Sequence, residues 1–140
     1  MDETKFIPYD EIRIGQTAQM GVRLEAGQVD AFSALIGDRD SFHVSDEAAA
    51  RTVFRHRICH GVHLLAFVSV LIGQKLPGFG TVYCSHRFEF HSPVYLGQGI
   101  LVTVRVLEKL PHHRLRMETT ILREDAVPVL TGEAVVKTYQ

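Results

Sequence analysis

The sequence predicts an α+β fold in which one long apolar helix is wrapped by a curved antiparallel sheet. Three observations lead there. The first is the stretch 59–78, CHGVHLLAFVSVLIGQKLPG, in which nearly every residue from Val62 to Ile72 is apolar, His63 and Ser69 being the polar side chains. A surface helix shows a polar stripe at every third or fourth place. This run has none, so it asks for cover on most sides. It is also shorter than the ~20 apolar residues that cross a bilayer. The second observation is that the chain beyond Gly80 alternates with the period of strands. The third is that turn residues tie these strands closely together, as antiparallel neighbours require.

Bulk properties narrow the function classes. A chain of 140 residues is expected to form one domain, residues 1–140, and 46% hydrophobic content supplies a core. The 15 basic and 16 acidic residues leave a formal net charge of -1 with no like-charge block. Nothing in that distribution draws a nucleic acid or a membrane surface. The opening MDETKFIPYDE is acidic and lacks the apolar core of a secretory signal. Cys59 and Cys84 make neither a disulfide framework nor a Cys-x-x-Cys pair. The expectation is a cytoplasmic protein with two reduced thiols.

Taken in order, residues 4–15 read as an irregular lead-in that Pro8 and Gly15 interrupt, with Phe6, Ile7, Tyr9, Ile12 and Ile14 available to dock. Thr17 to Leu24 alternates as a first strand. Gly27 to Ile36 places Val29, Phe32, Leu35 and Ile36 at helical spacing, and Gly37 suits its stop. Asp38 to His43 is a polar turn. Ser45 caps a second short helix through Ala50, aided by Asp46 and Glu47 in its first turn. Thr52 to Ile58 shows no clear periodicity. His60-Gly61 starts the apolar helix, and Gly73 with Pro77-Gly78 ends it. Four strands follow: Thr81 to His91, Gly99 to Leu110, Arg114 to Arg123 and Val129 to Tyr139. The connections Tyr95 to Gly99, Pro111-His112-His113 and Asp125 to Pro128 carry turn residues, so the four strands read as a meander.

Several chemical motifs have plain structural readings. His56, His60 and His63 sit four and three apart, but Gly61 at the helix start splits the set, so no metal is expected. A buried His60 bonding nearby backbone is the simpler role. Cys59 beside His60 resembles a thiol–imidazole pair, yet adjacent side chains rarely face one another. His86 and His91 fit as packing residues on a strand, and His112-His113 as a solvated turn. Arg51, Arg55, Arg57 and Arg87 are candidates to meet phosphates, although exposed arginines mostly do nothing specific.

Three motifs together point to a family. Asp38-x-x-x-x-His43, then His60-Gly61, then PGFGTVYCSHRFEFHSPVYLGQG from Pro77 to Gly99 resemble the MaoC-like, (R)-specific enoyl-CoA hydratases over nearly the whole chain. The resemblance implies a hot-dog fold, a homodimer, and an acyl thioester of coenzyme A or acyl carrier protein as substrate, with no cofactor. It implies that Asp38 and His43 grip the reacting water and that the Gly61 N–H meets the thioester oxygen. Phe42, Val62, Leu64, Phe67 and Val68 are then expected to wall an acyl tunnel beside the helix. Such hydration needs a water held against the β-carbon, a proton delivered to the α-carbon, and a donor for the charge on the thioester oxygen.

The chain departs from the family pattern at three places. Asp40-Ser41 stands where Asn-Pro is common, and Asp40 either raises a carboxyl pKa by repulsion or faces solvent. Val62-His63 follows His-Gly where Met or Leu and then Leu are usual, and Ala66 replaces a frequent serine. Two other readings stay open at this level: an acyl-CoA thioesterase on the same fold, and a non-catalytic acyl-thioester-binding or dimerisation module.

Overall fold

The computed structural model describes residues 4–139. A 3-10 turn, Tyr9–Glu11, precedes strand β1, Thr17–Arg23. Helices α1, Ala26–Ile36, and α2, Asp46–Ala50, follow, then the apolar helix α3, Gly61–Gln74. Strands β2, Thr81–Phe90, β3, Gly99–Leu110, β4, Arg114–Arg123, and β5, Pro128–Thr138, complete the order. All lie within a residue or three of the stretches read from periodicity, except that Gly73 sits inside α3 and does not end it.

The five strands form one antiparallel sheet in the order β1-β3-β4-β5-β2. The expected four-strand meander therefore holds only for β3, β4 and β5. Their hairpins are short, spanning 111–113 and 124–127, with left-handed His112, His113 and Ala126 making the turns. The link 91–98 is longer than a tight hairpin, and it carries the chain from β2, beside β5, across to β3 on the far side. A bulge at Cys84 also breaks the alternation of β2 between Tyr83 and Ser85.

Helix α3 packs across β3, β2 and β1. Its Leu64, Val68, Leu71 and Ile72 share one buried core with Val102, Val104 and Val106 of β3 and Leu115, Met117 and Ile121 of β4. Each such side chain contributes roughly 1.5–3 kcal/mol of burial free energy. The opposite stripe, Val62, Ala66, Ser69 and Val70, is exposed, so the helix is covered on one side and not on most sides. The reason is geometric: a single sheet covers one helix face. Leu35, read as part of the apolar stripe of α1, is 83% exposed, while Val29 of the same helix is fully buried. No helix among the described residues is long and apolar enough to cross a membrane.

Candidate active site

Asp38 is placed by the way α1 ends. Gly37 adopts a left-handed φ of 82° and donates its N–H to Ala34 O, and the Asp38 N–H reaches back to Ser33 O at 2.9 Å. This paired closure of the last helical turn fixes the backbone that carries the carboxylate. One carboxylate oxygen, Oδ2, then accepts from the Ser41 hydroxyl at 2.7 Å and from the His60 Nε2–H at 2.7 Å. The Ser41 bond first, and the His60 bond second, hold the Asp38 carboxyl below the ordinary aspartate range. Asp40 is exposed, so of the two roles open to it, facing solvent is the one observed.

His43 is oriented from the other side. Its Nδ1–H donates to the Ile58 carbonyl at 2.7 Å. A carbonyl only accepts, so Nδ1 carries the hydrogen and Nε2 of the neutral ring keeps a free lone pair. Burial, opposed by that carbonyl bond, lowers the His43 pKa from its ordinary value of 6.5. The Ile58 carbonyl is itself held: Ile58 bridges to Tyr95, the Cys59 N–H bonds Val94 O at 2.8 Å, and Tyr95 OH bonds Phe54 O at 2.9 Å. Arg57 donates to the His43 carbonyl at 2.7 Å and pairs with Asp30. That arginine braces the loop, and so does not fit the phosphate-binding role considered from sequence. Phe42 packs on the His43 ring at 4.5 Å and on Phe54 at 6.0 Å.

The two loops meet at the start of α3. His60 is the residue before the first helical turn, buried to 6% exposure, and its ring stacks on His43 at 3.9 Å. Its side chain bonds the Asp38 carboxylate and not nearby backbone, which corrects the simpler reading of His60. Ligand-type atoms of Asp38, His43 and His60 all lie within 4.8 Å of one another. Gly61 follows directly, at a position where helix N–H groups have no intrahelical acceptor. A Cβ at Gly61 would come within 2.7 Å of the Phe90 ring, so Phe90 of β2 closes over this helix end.

The trio is poorly shaped for a shared metal ion. The imidazoles of His43 and His60 are stacked with an interplanar angle of 25°. The two ring planes lie nearly parallel at a centroid distance of 3.9 Å, so an ion bound about 2.0–2.1 Å from one nitrogen in its ring plane would lie out of the plane of the other. The Cys59 thiol is buried, and that burial raises its pKa to about 11, so it stays protonated and unreactive at neutral pH.

Of the expected wall residues, the structure brings Phe42 to the Asp38–His43 pair. Val62 lines a cleft of about 340 Å3 between α3 and β2, together with Leu65, Ala66, Ser69 and Cys84. Leu64 and Val68 belong to the closed core, 2% and 0% exposed, and cannot wall an open tunnel. Phe67 packs against His63, which in turn stacks on Phe32 of α1. Sequence reasoning missed Ser41, the Ile58 carbonyl and Phe90 as members of this region. Ser41 carried a signal, since it lies between Asp38 and His43; a backbone carbonyl fifteen residues from its imidazole carries none.

Residues 11–127 match the family described as MaoC like domain. Over 138 residues the chain is 36% identical to a 3-hydroxybutyryl-CoA dehydratase of Methylorubrum extorquens, covering 98% of this chain and 87% of that one. It is 35% identical to an (R)-specific enoyl-CoA hydratase of Aeromonas caviae, covering 90% and 95%. Among solved structures, the unliganded R-hydratase PhaJ1 of Pseudomonas aeruginosa superposes with a TM-score of 0.92 at 36% identity, covering 98% of this chain and 88% of that one. With that match across most of its length, and with the helix-and-sheet architecture in place, this chain belongs to the MaoC-like domain family and has the hot-dog fold of its hydratase relatives.

Proposed function

We propose that this protein catalyses the reversible, (R)-specific hydration of trans-2-enoyl-CoA to (R)-3-hydroxyacyl-CoA. The carrying observation is that the Asp38 carboxylate and the His43 imidazole, five positions apart on one loop, converge within 4.8 Å at the start of α3. The ionised carboxylate and the free Nε2 of His43 are both acceptors, suited to take the two hydrogens of one water and turn its oxygen lone pair toward the β-carbon. As the C–O bond forms, His43 Nε2 takes one proton, and the imidazolium returns it to the α-carbon. The electron pair that moves onto the thioester oxygen meets the Gly61 N–H and the positive end of the α3 dipole. An acyl chain leaving this point would run past Val62 into the cleft over Leu65 and Ala66.

A homodimer fits the same surface. Among the described residues edge strand β2 pairs only with β5, and it exposes Val82, Tyr83 and Phe90 beside the open stripe of α3. A second copy joined along β2 would satisfy that edge and cover the helix. The reaction is tested with purified protein and crotonyl-CoA and longer enoyl-CoAs, on coenzyme A and on acyl carrier protein, following loss of enoyl absorbance and the chirality of the product. Hydration to the (R) product is expected. No hydration at any chain length on either carrier overturns the assignment, and release of free thiol instead identifies a thioesterase.

A further inference from the structure

We infer that Ser41 and His60 form a two-donor clamp on one oxygen of Asp38, acting as positioning residues for the proposed hydration and resting on that reading. The Ser41 Oγ–H and the His60 Nε2–H both point at Oδ2, each at 2.7 Å. Two donors on one oxygen leave Oδ1 as the acceptor for the reacting water. The same Ser41 oxygen accepts the backbone N–H of His43 at 3.1 Å. One hydroxyl therefore ties the carboxylate to the backbone of its imidazole partner. A proline at this place, common in the resembling family, offers no such group.

His60 completes the clamp from the other loop. Its ring is fixed by Phe32 at its edge, by the stack on His43, and by Ser33 Oγ at 3.4 Å from Nε2. Its Nδ1 is buried without a hydrogen-bond partner among the described residues. A buried nitrogen left unpaired costs stability, and a plain apolar residue would avoid that cost. The clamp gives a reason to retain the imidazole. It also offsets a disadvantage of location, because Asp38 follows the C-terminus of α1, where the helix dipole disfavours an anion. The titratable groups facing Asp38 are His43 on its own loop and His60 at the start of α3; Arg39 and Asp40 are exposed.

The test compares Ser41→Ala, Ser41→Thr, His60→Leu and His60→Gln with wild type. Ser41→Ala is expected to lower kcat roughly five- to thirtyfold with little change in KM, since charge-assisted bonds of this kind are the strong ones. Its acidic limb should move toward neutral pH, because a carboxylate that loses a donor binds its proton more tightly. Ser41→Thr and His60→Gln, which keep a donor, should recover most of the activity lost in Ser41→Ala and His60→Leu. Titration of the Asp38 carboxyl by 13C NMR, assigned with Asp38→Asn, reads the clamp without turnover, and Ser41→Ala should raise that pKa. Should wild type show no hydration, the enzymatic reading falls, and the NMR titration still decides the clamp. Ser41→Ala with an unmoved Asp38 titration, or with kcat and acidic limb both as in wild type, overturns the inference. This holds even where His60→Leu fails to fold.

Discussion

Replacing Asp38 by Asn separates the chemistry of the site from its architecture. In the folded protein Oδ2 receives two donors, Ser41 Oγ–H and His60 Nε2–H. An asparagine amide NH2 placed there would face two hydrogens, so the amide oxygen takes that position and both bonds survive as neutral ones. The NH2 group then occupies the place of Oδ1. A water that met an acceptor now meets a donor, and it loses the partner that turns its lone pair toward the substrate. A reactant misplaced by about 1 Å can cost on the order of 10²-fold, so turnover of crotonyl-CoA should fall by roughly that factor or more. The Asp38 backbone is held by the end of α1 and not by its carboxylate, so the melting temperature should move by only a few degrees. Enoyl absorbance gives the first quantity and a thermal melt the second. Turnover within about threefold of wild type would refute the water-positioning role of Asp38, and would favour a non-catalytic acyl-binding module. Loss of turnover together with loss of the folded baseline would refute the claim that the loop is built independently of the charge.

Three further outcomes follow from the structure. His43, His63 and His86 all have pKa values lowered from 6.5, burial being the first cause in each. The unfolded chain therefore binds more protons than the folded one below pH 6.5. Stability should be level above about pH 7 and fall on acidification toward pH 5, so a melting temperature that rises over that window contradicts the burial of these rings. Gly78 has a φ of 99°, and a Cβ there would lie 2.0 Å from the Lys5 backbone oxygen. Gly78→Ala should cost about 2 kcal/mol or more, lowering the melting temperature by roughly 5 °C or more in a calorimetric scan. If the proposed dimer forms along β2, wild type should scatter as a dimer and Val70→Asp on the open stripe of α3 should shift it toward monomer while leaving the fold intact by circular dichroism. A monomeric wild type would refute the proposed dimer, and a variant that keeps a dimeric mass would refute this contact.

The local sequence determined where the elements lie. Val102, Val104 and Val106 alternate because a strand has two faces, and they are the buried face of β3. Gly37 and Ser45 mark helix boundaries because a left-handed φ and an N-cap oxygen are needed there. The family pattern in residues 38–99 singled out Asp38, His43 and Gly61; the folded chain brings the Asp38 and His43 side chains within 4.8 Å of each other and of His60, the residue before Gly61. What the tertiary structure alone decided is which surfaces meet. Periodicity cannot say that β2 pairs with β5 and not with β3, because pairing depends on the path of the link 91–98. Nor can it separate Leu64, sealed in the core, from Val62, open to the cleft, since both are apolar residues of the same helix. The partners of the Asp38–His43 pair belong to the same class. Ile58 is an ordinary apolar residue in the chain, and its carbonyl matters only because Val94 and Tyr95 hold it opposite His43. Hydrogen bonds between distant loops are set by the fold's geometry in space, which side-chain order along the chain does not encode.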